Sequence, residues 1–320
     1  MLKRAVSWFR QGGGNGQRLR RCFLGVAAGV LLLLVGFTLI FPLWQVRHTV
    51  GAAHQRMVED FVKDYDQIGG EAIRALDGPE EATRKMRRYL KWPAWLAPHK
   101  ETAIMILGRC GGRALPTLEE AMEIDASEAV FALGGVGEEA IPALSRAMHH
   151  VNPDVRSRTA TVLCSLVLQG SLSKKGAASA VLEIARGMDD QRENVRVSCA
   201  MALLQAGQPV SPCTRRLERG LEDGSAVVRT VSAAGLLRLS SDTVIRDKAL
   251  RILEGVLEGT DAGLRKICLR VVGELGAAGV PLLPALVKAL PHFDTADEKR
   301  FGQEAVNRIS PPTGQPGPNR

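Results

Sequence analysis

Histidine and cysteine are the residue types through which this chain could hold a metal or attack a substrate. No two of its cysteines form a CxxC pair, so zinc-ribbon and thioredoxin-like sites are unsupported. His149 and His150 are adjacent, but neighbouring residues on a helix point about 100° apart and do not converge on one ion. We therefore predict no metal site. The histidines and cysteines are His48, His54, His99, His149, His150 and His292, and Cys22, Cys110, Cys164, Cys199, Cys213 and Cys268.

The motifs of other common chemistries are also missing from the sequence. Nothing resembles a nucleophile elbow, a phosphate loop or a dinucleotide fingerprint. The glycine-rich stretch at residues 12–16 lacks the Lys-Ser/Thr pair of a phosphate loop and precedes no predicted strand. We therefore predict that the protein has no catalytic residues and no cofactor, and that it is not an enzyme.

Composition and charge favour a helical protein that does not bind nucleic acid. The chain is 45% apolar but only 4% aromatic, as in densely packed short helices rich in Ala and Leu. Its net charge is +8, but six positive residues lie within residues 1–21. The remaining 36 basic residues face 34 acidic ones. The folded part therefore lacks the excess of positive charge that nucleic-acid binding needs.

An uncharged segment from Cys22 to Trp44 predicts a transmembrane helix. At about 1.5 Å per residue it is about 34 Å long, enough to cross a hydrocarbon core of about 30 Å. The basic residues 1–21 precede it, so the positive-inside rule places them in the cytoplasm and the rest of the chain outside. Many arginines and no Asn-x-Ser/Thr sequon fit a bacterial source. We predict a single-pass protein, with a signal anchor, of a bacterial inner membrane facing the periplasm.

Two alternatives concern how this segment is processed and exported. A cleaved signal peptide could end at the small residues 51–53, but the apolar run exceeds the usual signal core of about 7–15 residues. Residues 20–24, Arg-Arg-Cys-Phe-Leu, resemble a twin-arginine export signal, although Leu19 and Gly25 depart from that pattern. Either export route leaves the N-terminus in the cytoplasm.

Beyond residue 50 the sequence repeats itself. Residues 107–118, 133–144 and 272–286 each read as the end of a helix, a Gly-containing turn and a second helix with Pro in its first turn. A basic residue opens the first helix of later units, at Arg156, Arg196, Arg229, Arg265 and Arg300, with spacings of 40, 33, 36 and 35 residues. Lys100 lies at the matching phase. These patterns predict about seven helical pairs between residues 55 and 310.

The Asp-Val-Arg and Asn-Val-Arg openings at residues 154–156 and 194–196, the Ala-Leu-Gly helix end and the Ala-Ile-Pro-Ala-Leu helix start resemble the HEAT-repeat family, in its short-repeat, phycobilin-lyase-like variety. The resemblance implies an all-α, right-handed α-solenoid of HEAT-like helical pairs. HEAT-like enzymes such as deoxyhypusine hydroxylase carry His-Glu metal-binding pairs, and no histidine here precedes a glutamate. A bilin-lyase-like ligand-binding role is a minor alternative, because aromatic residues are few beyond residue 100.

The flanking segments have their own predicted roles. Residues 45–66 carry apolar residues at partly helical spacing, which predicts a juxtamembrane helix running into the solenoid of residues 55–310. Residues 311–320 are rich in Pro and Gly and are predicted to be disordered, and residues 1–21 form the basic cytoplasmic tail.

A solenoid offers an extended concave face lined by its second helices, and we predict that a protein partner binds there. The candidate residues are of mixed charge, which suits a polar protein or peptide. They are Glu119, Arg146, His150, Glu183, Arg186, Arg215, Arg219, Arg251, Glu254 and Lys288.

Trp92 and Trp95 form the densest aromatic site outside the predicted membrane segment. They could dock a partner, since large aromatics are enriched at binding hot spots, or seal the end of the helical stack. Neighbouring leucines favour the sealing role, because an exposed cluster of this kind would be an unusually sticky patch.

Two functions are compatible with these features. The first is a membrane-tethered scaffold whose solenoid binds a protein partner. The alternative is a self-associating structural component of the cell envelope, a homo-oligomer paired through small residues such as Gly25 and Gly29 of the anchor.

Overall fold

The computed structural model describes residues 41–59, 65–207 and 211–310. Within these ranges the regular elements are helices, and no residue lies in a strand. The predicted basic tail (residues 1–21) and the predicted disordered tail (residues 311–320) lie outside the described residues, as does the predicted transmembrane segment apart from residues 41–44.

Sixteen α-helices follow one another through the described residues. They are α1 (Phe41–Glu59), α2 (Tyr65–Ala75), α3 (Pro79–Leu90), α4 (Lys100–Leu107), α5 (Leu115–Ala121), α6 (Ala126–Val136), α7 (Ile141–Ala147), α8 (Pro153–Leu168), α9 (Lys174–Gly187), α10 (Glu193–Ala206), α11 (Ser211–Gly220), α12 (Ala226–Leu239), α13 (Thr243–Glu258), α14 (Ala262–Gly273), α15 (Leu283–Ala289) and α16 (Ala296–Ile309). Short 3-10 segments lead into α5, α7 and α15.

The N-terminal helices differ from the sequence prediction in their bounds. Helix α1 is described from Phe41, within the predicted transmembrane segment, to Glu59, and α2 is described from Tyr65. The predicted juxtamembrane helix of residues 45–66 is therefore described as parts of two helices. In the portion of the chain that has described coordinates, no helix combines the length and apolarity needed to cross a membrane.

Two compact units make up the chain, where the sequence predicted one solenoid over residues 55–310. The first is formed by residues 1–110 and the second by residues 111–320. In the first unit, α1 to α4 pack on one another around fully buried side chains that include Met86, Tyr89 and Ile104.

The second unit is a stack of helical pairs. Its first helices α6, α8, α10, α12, α14 and α16 pack side by side in chain order, and each second helix packs against at least one neighbouring first helix. The apolar positions predicted to face the core, such as Val195, Cys199 and Leu203, are buried. Because each pair covers the apolar face of its neighbour, the unit is an α-solenoid of helical pairs.

Three turns that precede a second helix depend on glycine. Gly111, Gly137 and Gly276 occupy the same position in the three sequence copies, and all have positive φ angles, of 70°, 89° and 54°. A residue with a Cβ is strained there, which explains why the copies share this glycine. Proline then lies in the first turn of α5 and α7 as predicted. In the third copy the predicted Pro281 lies in the 3-10 segment instead, and α15 begins at Leu283.

The repeated arginine fixes each first helix to the turn before it. The guanidinium groups of Arg156, Arg196, Arg229 and Arg265 each donate to the backbone carbonyl six residues earlier. These carbonyls follow the end of the preceding second helix and would otherwise lack a helical donor. Arg300, predicted to match them, is exposed and pairs with Asp297 of its own helix instead.

Candidate functional site

The predicted binding residues of the second unit lie along the second helices and the turns that follow them. We call the exposed surface of α5, α7, α9, α11, α13 and α15 and of those turns the second-helix face. Ion pairs join neighbouring repeats along this face. They link Glu119 to Arg146, Asp189 to Arg216 (3.0 Å) and Arg219 (3.4 Å), Glu222 to Lys248 (2.9 Å), and Glu258 to Lys288 (2.9 Å).

This series of ion pairs has one interruption. Among the described residues, no ion pair joins α7 to α9. Instead Glu183 and Arg186 pair within α9, with the glutamate mostly buried and the arginine side chain 62% exposed. An open cleft of about 310 Å³ lies at this step, lined by residues of α9, the two turns and α8: Met148, His149, Arg156, Glu183, Arg186, Gly187, Asp189, Asp190 and Gln191.

A cleft of about 290 Å³ occupies the equivalent place between α13 and α15. Its lining includes the repeated arginine Arg265, as the first cleft includes Arg156, and the Glu258–Lys288 pair crosses it. The helical repeat therefore produces a recurring recess at the C-terminal ends of the second helices. Of these two recesses, the one between α7 and α9 is not crossed by an ion pair between repeats.

A bidentate ion pair forms the floor of the first cleft. Arg156 donates to Asp190 at 2.7 and 2.9 Å, and both side chains are mostly buried. Burial alone would raise the pKa of Asp190, but the hydrogen bonds from Arg156 and from the Arg192 amide lower it below its usual range. The aspartate therefore stays ionised, and the rim side chains rather than the floor are available to a ligand.

The remaining predicted residues have different environments. Arg215 and Arg219 are exposed on α11, and Arg215 has no ion pair within the described part of the chain. His150 lies in the turn after α7, where its Nδ1 accepts a hydrogen bond from the backbone amide of Asn152. Arg251 donates only to a carbonyl of its own helix α13, and Glu254 on the same helix is half-buried. Arg215 is thus the exposed arginine of α9 and α11 without an ion pair among the described residues, whereas Arg186 pairs within its own helix and Arg219 pairs with Asp189.

The two tryptophans of the first unit differ from each other. Trp95 is 75% exposed, whereas Trp92 is partly buried. The expectation that both rings seal a helical stack is therefore wrong for Trp95. The buried aromatic of this region is Tyr89, whose hydroxyl donates to the carbonyl of Pro98.

The structure also brings together three side chains that sequence spacing did not connect. His54 of α1 stacks on His99, with ring centroids 3.9 Å apart, and Glu101 lies beside them. One ligand atom from each residue lies within 4.8 Å of the others. The prediction of no metal-ligand set rested on local spacing, and these histidines are 45 residues apart in the chain. No motif in the sequence signals this cluster.

The cysteines that the structure describes are inaccessible to a substrate. Among the described residues, Cys110, Cys164, Cys199, Cys213 and Cys268 are free and buried. Burial raises the pKa of Cys199 and Cys268 to about 12, so their thiols are protonated and poor nucleophiles.

Comparison with known proteins gives distant likenesses only. No protein-family model matches the chain, and no curated protein matches it. The chain is similar to the complex of CpcE and CpcF of phycocyanin lyase from Nostoc sp., with a TM-score of 0.41 and 21% identity over 71% of this chain and 94% of that one. An engineered protein gives a TM-score of 0.40 and 18% identity over 71% and 96%. A designed armadillo repeat protein in complex with the peptide (KR)4 gives a TM-score of 0.33 and 14% identity over 71% and 98%. Likenesses this distant carry no argument about function.

Proposed function

We propose that this protein is a membrane-tethered scaffold that binds a protein partner through the second-helix face of its solenoid. The observation that supports it best is the interruption of the ion-pair series at the cleft between α7 and α9. Between the other consecutive second helices, an acidic side chain of one repeat pairs with a basic side chain of the next. At the interruption, the recess is bordered by Arg186, whose ion pair is with Glu183 of its own helix.

The charges near this recess suggest the chemistry of the partner. Arg186, Arg215 and Arg219 are exposed on the adjacent helices α9 and α11, and Asp189 is shared between Arg219 and Arg216. Arginine binds carboxylates in a planar, bidentate geometry. A protein segment with acidic side chains would therefore pair with these arginines while its backbone lies across the cleft.

The membrane tether is proposed from the sequence. The segment from Cys22 to Trp44 is long enough and uncharged, and the basic residues before it favour a cytoplasmic N-terminus. One feature of α1 agrees with this proposal: Trp44, the last residue of the uncharged segment, is 56% exposed, as an interfacial aromatic would be. The solenoid would then face the periplasm of a bacterial cell.

Site-specific photo-crosslinking tests the binding surface. A photoreactive residue in place of Arg186 or Arg215 should crosslink one distinct protein in intact cells, which mass spectrometry then identifies. The matched controls are Arg158 of α8 and Arg270 of α14, which are exposed on first helices. Crosslinks to the same protein from the control positions, or none from the second-helix positions, would refute the proposed face.

The tether and its orientation need a separate test. The full-length protein should stay in the membrane fraction under alkaline extraction, and a reporter that is active only in the periplasm should be active when fused after residue 320. A mature protein that begins near His54 would show that the segment is cleaved, and an active cytoplasmic reporter would reverse the orientation.

A further inference from the structure

We propose that His54, His99 and Glu101 form a binding site for a divalent transition metal of the zinc class. This inference is independent of the proposed function, because the site lies in the first unit and shares no residue with the second-helix face. Two imidazoles and one carboxylate are a ligand set that zinc accepts, and three protein ligands leave a position open for water or another group.

The position of His54 is consistent with a metal ligand. Its Nδ1 lies 2.9 Å from the hydroxyl of Thr102, whose side chain is buried at the start of α4. This hydrogen bond fixes the orientation of the ring and leaves Nε2 available for a metal. Metal-binding histidines commonly have their second ring nitrogen held in this way.

His99 adopts a conformation that its own side chain does not explain. It is one of two described residues other than glycine with a positive φ, at φ 60° and ψ 43°. It precedes α4 at the capping position, yet its side chain makes no capping hydrogen bond. Strained backbone of this kind persists where the surroundings fix it, and it occurs often at binding sites. Here the buried Tyr89 fixes the backbone by donating to the carbonyl of Pro98.

The third ligand and the local charge complete the site. Glu101 lies in the first turn of α4, with one carboxylate oxygen 3.9 Å from Nδ1 of His99. The positive end of a helix opposes a nearby cation, and the carboxylate offsets this effect. The ammonium group of the intervening Lys100 is directed elsewhere, since it donates to the carbonyl of Leu90 at 2.7 Å.

Binding requires a small rearrangement of two side chains. Zinc binds imidazole nitrogen at about 2.0–2.1 Å, so the ligand atoms must come closer than their present spacing. The stacked ring of His99 must tilt for its nitrogen to point at the same ion as that of His54. Glu101 is exposed and His99 is half-exposed, so both can turn without disturbing the core. The ion would then tie α1 to the start of α4.

Zinc titration of the full-length protein tests the site. The protein is purified with a histidine-free tag and titrated with Zn²⁺ in competition with a chromophoric chelator. We expect one Zn²⁺ per chain, with affinity at least about tenfold lower in His54→Ala and in His99→Gly. Because glycine favours the left-handed backbone at position 99, His99→Gly removes the ligand without harming the fold. The control is His48→Ala, on the same helix α1, which should bind like the wild type.

Substitution of Co²⁺ for Zn²⁺ identifies the type of ligand from the visible absorption spectrum. Co²⁺ at this site should show the visible absorption of a low-coordinate ion and no charge-transfer band from a thiolate. Absence of Zn²⁺ binding, unchanged affinity in both ligand variants, an equal loss in His48→Ala, or a thiolate band would each overturn the proposal. Retained folding of the variants is checked by circular dichroism.

Discussion

The carboxylate of Asp223 accepts two hydrogen bonds from the guanidinium of Arg196, at 2.8 and 2.9 Å. The same arginine donates to the carbonyls of Asp190 and Gln191, at 3.0 and 3.2 Å. One side chain on α10 therefore connects the turn before its own helix to the turn after α11. The Arg-Asp contact joins the two helices of one pair, and the contacts with the carbonyls join that pair to the one before it.

Breaking this contact should destabilise the solenoid. Arg196→Ala leaves a mostly buried carboxylate without its partner, and we expect a loss of about 2–3 kcal/mol in the free energy of unfolding, measured by chemical denaturation. Lys248→Ala, which removes an exposed ion pair with Glu222, should change it by no more than about 0.5 kcal/mol. Equal effects of the two substitutions would contradict a structural role for Arg196.

Stability should also fall in acid. Hydrogen bonds from Arg196 and from the Ser225 amide hold the pKa of Asp223 below its usual value. A carboxyl whose pKa is lowered by folding stabilises the protein above its unfolded-state pKa, about 3.9, and this stabilisation is lost as the pH falls through the lowered folded-state pKa. We expect the free energy of unfolding to decrease below about pH 4, with a smaller decrease in Asp223→Asn. If the free energy of unfolding of the variant falls in acid as steeply as that of the wild type, this carboxyl does not contribute to the pH dependence of stability.

A turn glycine and a helix glycine should respond in opposite directions to substitution by alanine. Gly137 has a φ of 89° and no atom near the place of an added Cβ, so Gly137→Ala tests backbone strain alone. We expect a loss of about 1–2 kcal/mol in unfolding free energy. Gly255 lies inside α13 with equally open surroundings, and Gly255→Ala should stabilise the protein by about 0.5–1 kcal/mol. Differential scanning calorimetry measures both, and a shift in the same direction would disprove this assignment of the turn.

Trp92 and Trp95 should differ when each is changed to alanine. Because Trp95 is 75% exposed, Trp95→Ala should lower the unfolding free energy by less than about 0.5 kcal/mol. Trp92 is partly buried, so Trp92→Ala should cost more, although less than the about 3–5 kcal/mol of a fully buried Trp. Thermal melts of the single variants separate the two. A large loss for Trp95→Ala would restore the sealing role predicted from the sequence.

Local patterns in the sequence predicted the helical class well. Gly137 lies just after the end of α6 and Pro142 lies in the first turn of α7. Both positions were predicted because the backbone conformation of a turn depends on the residue that occupies it. The helical spacing of apolar residues around Leu203 predicted that it packs between helices, and Leu203 is buried. These features are encoded within a few residues of each other, so a single sequence reveals them.

The candidate sites depend on contacts between distant parts of the chain, which the sequence does not display. His54 and His99 meet only because α1 packs against α4. Glu183 and Arg186 were both predicted at a binding surface, yet their pairing leaves only the arginine exposed. The ion-pair partners along the second-helix face are 26–30 residues apart, which no local rule identifies.

The central claim is that the second-helix face binds a protein partner, and charge reversal tests it most directly. We compare two double variants at equal expression in cells and measure how much of the crosslinked partner each recovers. The second-helix variant carries Arg215→Glu and Arg219→Glu, and the first-helix control carries Arg158→Glu and Arg270→Glu. We expect recovery to fall at least about tenfold in the first variant and to stay unchanged in the control, because loss of interfacial charge pairs costs about 2 kcal/mol or more. Undiminished recovery with the second-helix variant, or an equal loss in the control, would contradict the account.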